Sequence, residues 1–178
     1  MFLFSKKDLL MKKNKLLPVT LIMLFFILLQ STLLRKLPGS FIYPDLALVI
    51  LVFFSTGRGK MDGQISGFIT GLAEDFLSLS PPGFNSFIKT VIGFIYGSFK
   101  GKVFVDPVFF PVIMVAAATL LKGLTAALVS ALFIKPESAP LVFTSRFAIE
   151  ILENCIAAPF IFALMKTFKF YSVEERGF

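Results

Sequence analysis

Gly71-Leu-Ala-Glu-Asp-Phe-Leu-Ser-Leu-Ser-Pro-Pro-Gly83 places two adjacent carboxylates, Glu74 and Asp75, inside an apolar run that ends in a double proline and a glycine. Proline cannot continue a helix and disfavours it for the residue before, while glycine takes positive φ freely. The stretch therefore reads as the end of one helix and the tight turn into the next. In lipid a charge costs about 2.5–3.5 kcal/mol at mid-helix on insertion scales, so the pair has to face protein or water. An apolar helical hairpin carrying buried charge points to an all-α, polytopic membrane helical bundle.

The whole chain carries the same signature. Of its 178 residues, 56% are hydrophobic and 16% charged, against about 45–50% and about 25% in soluble domains. Mean hydropathy is +0.85. There is no His, so imidazole base or metal chemistry is excluded, and no Trp. Cys155, the sole cysteine, cannot form an intramolecular disulfide and reads as a small buried hydrophobe. Ser78, Ser80 and Ser86 have no histidine to activate them. Glu74 and Asp75 diverge by about 100° on a helix and cannot form a facing acid–base pair. No phosphate-binding glycine motif occurs. Neither catalytic residues nor a cofactor or metal site is expected. The net charge of +7 comes from lysines and arginines at segment ends, where they signal topology rather than nucleic acid binding.

Six spans are expected, at about 16–34, 41–57, 63–79, 85–99, 108–134 and 141–165, between a basic segment, 1–15, and a tail, 166–178. The first is too long for a signal-peptide core of about 7–15 residues and lacks a small-residue cleavage site, so it reads as retained. The second is short, and opens at Pro44 and Asp45: proline suits a helix start, and Asp suits its dipole. The fifth is long enough to need a tilt or kink, and Pro159 is expected to kink the sixth. An even number of spans puts both termini on one side. Twelve Lys and Arg then fall on the terminal side and three, Arg35, Lys36 and Lys135, on the other. The positive-inside rule makes the termini cytoplasmic.

Seven charges remain within the spans: Glu74, Asp75, Lys89, Lys122, Arg146, Glu150 and Glu153. At 1.5 Å per residue, Asp75, Lys89 and Arg146 lie roughly 6–8 Å from the outer surface, and Lys122 and Glu153 lie roughly 18 Å deep. Matching by layer predicts that Asp75 pairs with Lys89 and Arg146 while Glu74 faces a wet crevice. Structural ion pairs, an ion or proton path, and a polar cavity for a ligand or a partner helix are the three readings of this set. Gly63, Gly67 and Gly71, and again Gly93, Gly97 and Gly101, recur at four-residue spacing and open a stripe for close helix packing.

In Pro44-Asp-Leu-Ala-Leu-Val-Ile-Leu, and in Gly71, Asp75, Ser78, Pro81 and Gly83 followed by a helix ending at Tyr96-Gly97, the chain resembles the MreD family of bacterial inner-membrane rod shape-determining proteins. The resemblance implies a non-enzymatic subunit of the cell-wall elongation machinery, supporting peptidoglycan synthesis. Its partners would be the bitopic protein MreC, the MreB filament, and RodA with its penicillin-binding transpeptidase. It also implies a fold like the substrate-binding subunits of energy-coupling-factor transporters, six-helix bundles with an outward-facing pocket. That likeness supplies the alternative function, a vitamin or small-molecule carrier subunit.

Overall fold

The computed structural model describes residues 17–18, 20–30, 43–78, 80–100, 109–133 and 145–167. The basic segment 1–15, the connections 31–42, 101–108 and 134–144, and the tail from 168 lie outside the described residues, as does Gly101 of the second glycine series. Among the described residues every regular element is an α-helix. They are α1 (Thr20–Gln30), then α2 (Leu46–Arg58), α3 (Lys60–Leu77), α4 (Phe84–Gly97), α5 (Phe109–Phe133) and α6 (Ser145–Thr167).

The centre of the bundle is α2. Its sequence, LALVILVFFSTGR, has no polar face until its last turns, and Ala47 through Thr56 are all buried. A helix apolar all round belongs inside, where neighbours cover every face. The buried Ser55 and Thr56 suit the helix end, since the Thr56 hydroxyl donates back to the carbonyls of Val52 and Phe53, both at 2.9 Å. Phe53 meets Phe162 of α6 edge-on at 5.0 Å between ring centroids. At 13 residues, α2 is about 20 Å long, well under the hydrocarbon thickness of about 30 Å. Its first turn therefore begins inside the bundle, and Asp45 at its N-cap is 7% exposed.

Gly59 alone connects α2 to α3, at φ 103°, a left-handed value that glycine takes without the Cβ clash. The Arg58–Asp62 ion pair at 3.2 Å braces this corner. From there α3 and α4 run antiparallel with their backbones nearly touching. A Cβ on Gly63 would collide with the carbonyl of Gly93, one on Gly67 with that of Lys89, and one on Gly71 with Asn85 and Ser86. At the other end a Cβ on Gly97 would strike Gly59 and Lys60. The two glycine ladders face each other, which is the geometry small residues permit in a membrane bundle.

Helices α5 and α6 are long and apolar enough to cross a membrane, over Phe109–Leu132 and Ser145–Thr167. Their outer faces carry stripes at helical spacing: Ile113, Leu120, Leu124 and Leu128 on α5, and Ile149, Leu152, Ile156 and Phe160 on α6. Where they meet, Phe147 fills the space that a Cβ on Gly123 would need. Large apolar side chains outside and polar ones inside invert the pattern of a soluble domain, as lipid solvent requires. Pro159 lies within α6, which continues through it.

Candidate functional site

The site is built on the first residue before α2. The Asp45 carboxylate caps its own helix, accepting from the Leu48 amide at 2.9 Å through Oδ1, a bond that satisfies one of the four orphan N–H groups of a helix start. Lys89 of α4 also donates to Oδ1, at 3.2 Å. Lys122 of α5 donates to Oδ2, at 2.8 Å. The Asp45 amide donates to the Asn154 side-chain oxygen of α6 at 2.7 Å, and Asn154 donates onward to the Thr119 hydroxyl at 3.1 Å. One aspartate is thus held by groups from three other helices.

Each lysine reaches a second acid. Lys89 also pairs with Glu74 of α3, and Lys122 with Glu150 of α6 at 2.7 Å. The result is a ladder, Glu74–Lys89–Asp45–Lys122–Glu150, in which acid and base alternate and five elements contribute one rung each. Its formal charge is three negative against two positive, and the positive end of the α2 dipole lies at the excess. Lys89 is the deepest member, its side chain 1% exposed. Removing one partner from such a set leaves an uncompensated buried charge, while in the intact set each lysine is shared between two carboxylates and Asp45 between two lysines, which offsets their desolvation.

This differs from pairing by layer. Asp75 does not meet Lys89 or Arg146. It lies buried beneath the start of α4 and accepts from the amides of Gly83 at 2.9 Å, Asn85 at 2.9 Å and Ser86 at 3.2 Å, and from the Asn85 side chain at 3.0 Å. The physical reason is the turn: Pro81-Pro82-Gly83, with Gly83 at φ 92°, swings the free amides at the α4 start over Asp75, and a carboxylate at a helix N-terminus is favoured by those donors and the dipole. Asp75 does tie α3 to α4, but through backbone. Glu74 borders a cavity, in keeping with the expected crevice, and is in addition the ion-pair partner of Lys89.

The shared depth of Lys122 and Glu153 does not bring them together either. Lys122 takes Glu150 rather than Glu153, because Glu150 shares a face of α6 with Asn154, four residues on, which bonds the Asp45 amide, while Glu153 lies about 100° round the helix from Asn154. Glu153 is half-buried, and its Oε2 has no hydrogen-bond partner among the described residues. Arg146, near the start of α6, is exposed and makes no ion pair among them. Ser78 is exposed just past the end of α3, its amide bonded to the Glu74 carbonyl at 2.7 Å. Pro44 accepts from the Gln30 side chain at 2.8 Å, bringing α1 to the same end of the bundle. Pro81 is exposed in the turn.

Above the ladder is a cavity of about 390 Å³, lined by Asp45, Glu74, Lys122, Glu150 and the neutral Tyr43, Gln30, Ser78, Asn85, Ile27 and Leu77. Its size and mixed lining fall within the range of small-molecule pockets. No group of metal-ligating side chains occurs among the described residues.

A family model described as rod shape-determining protein MreD matches residues 10–168. No curated protein and no solved structure matches the chain.

Proposed function

Because the chain belongs to the MreD family of rod shape-determining proteins, we propose that it is a non-enzymatic scaffold subunit of the cell-wall elongation complex. In this reading it spans the bacterial inner membrane six times with both termini in the cytoplasm. It holds an MreC-like bitopic protein, and through it the MreB filament and the RodA–transpeptidase pair, in support of peptidoglycan synthesis. The observation that carries the reading is the ladder: five interior charges, Glu74, Lys89, Asp45, Lys122 and Glu150, are paired with one another across α2 to α6. This favours a rigid body over a site of chemistry.

Depletion in a rod-shaped host is expected to round or swell the cells, and an MreC-like single-span protein is expected to co-purify from membranes. Unchanged cell shape on depletion would sink the proposal. For the topology, a reporter active only outside the cytoplasm should work when inserted at 136–140 and fail when fused after Phe178. The opposite pattern would reverse the orientation.

The cavity favours a second reading, a carrier subunit that holds a small molecule. Saturable binding of a vitamin to the purified protein would support that reading over the scaffold.

A further inference from the structure

The cavity wall is not electrically neutral. Three carboxylates, of Asp45, Glu74 and Glu150, border it against one ammonium, that of Lys122. Lys122 is already committed, bonded to Asp45 at 2.8 Å and to Glu150 at 2.7 Å. Lys89 compensates from behind the wall, out of reach of anything in the cavity. Glu74 and Glu150 each bind their lysine through Oε1 alone. Each therefore keeps one carboxylate oxygen with no hydrogen-bond partner among the described residues, and the side chains of both are about one-fifth exposed, at 21% and 22%. Ile27 and Leu77 give the same space an apolar side, and Gln30 and Ser78 add neutral polar groups.

The geometry points to a binding site for a small organic monocation, an ammonium or guanidinium on a short apolar stem. The cationic head would lie between Glu74 and Glu150 and bring the ladder to charge balance, while the stem would rest on Ile27 and Leu77. An anion of the same size would face three carboxylates for one shared ammonium, so the site selects by sign. Burial strengthens that selection, since a charge pair is worth several times more at an effective dielectric near 20 than in water. The inference rests on reading the cavity as a ligand site and adds the class of ligand.

The test uses the full-length protein in lipid nanodiscs, with n-butylammonium, n-butylguanidinium, n-butanol and butyrate as probes at equal ionic strength. Saturable thermal stabilisation by the two cations, and none by butanol or butyrate, is expected. Glu150→Gln and Glu74→Gln, which keep an acceptor oxygen for the lysine, should each weaken cation binding about tenfold or more, as expected for one lost contact charge. Helical content and monodispersity confirm which variants fold, and the comparison of probe charges needs no variant at all. Equal stabilisation by butyrate or butanol, or cation binding unchanged in a folded variant, would overturn the cationic class and leave the cavity a ligand site. No saturable stabilisation by any probe would overturn the ligand site as well.

Discussion

The Asp45 carboxylate and the Lys122 ammonium, 77 positions apart in the chain, are 2.8 Å from each other in the middle of the bundle. Everything else in the ladder depends on that contact, because among the described residues Asp45 is the only acid that touches both lysines. Asp45→Ala should remove the α2 cap and leave two buried ammoniums short of charge. A loss of about 3–5 kcal/mol is expected, as for breaking a buried pair from one side. Asp45→Asn keeps the cap acceptor but not the charge, so it should recover only the cap, worth about 1 kcal/mol. Thermal unfolding in detergent or nanodiscs measures both. An Asp45→Asn protein as stable as the parent would mean that the ladder does not depend on its central charge.

The neighbours Glu74 and Asp75 point to different partners, and their couplings should show it. Glu74 belongs to Lys89, whereas Asp75 belongs to the amides of Gly83, Asn85 and Ser86. In double-mutant cycles, Glu74→Gln with Lys89→Met should fall short of the sum of its singles by about 0.5–3 kcal/mol. Asp75→Asn with Lys89→Met should add to within about 0.5 kcal/mol, since the two side chains share no partner. Asp75→Asn should itself be destabilising, because an amide nitrogen would face backbone donors. The reverse pattern of couplings would restore the layer pairing of Asp75 with Lys89.

Much of this architecture is legible in the sequence. The Pro-Pro-Gly turn, the two glycine series and the apolar runs mark helices α3 to α6 to within a few residues, because proline, glycine and hydrophobic length act locally. The partners of the charges are not legible in the same way. Depth counted along a helix assumes that every span begins at the same surface, and α2 does not. Being short and central, it carries Asp45 inward, so a residue that reads as a cap at the membrane edge becomes the hub. Asn154 is visible in the last span as a polar residue, but only its placement against the Asp45 amide gives it a role. A carboxylate eight residues before a turn glycine also gives no local sign of whether it will meet a lysine or a row of amides.

The glycines divide into two kinds, and substitution separates them. Gly67 lies against the Lys89 carbonyl, so any side chain there must force α3 from α4 and disturb the backbone that carries Lys89. Gly83 has open space around its Cβ position but holds φ at 92°. Gly67→Ala should therefore cost about 1–3 kcal/mol, the usual range for overpacking, and Gly67→Asn no less. Gly83→Ala should cost about 1–2 kcal/mol from backbone strain alone, and Gly83→Asn should recover part of it, because asparagine visits the left-handed region more readily. Unfolding midpoints of the four variants in one lipid composition decide the matter. If asparagine rescued Gly67 as well as Gly83, the close approach of α3 and α4 would not be what requires glycine at Gly67.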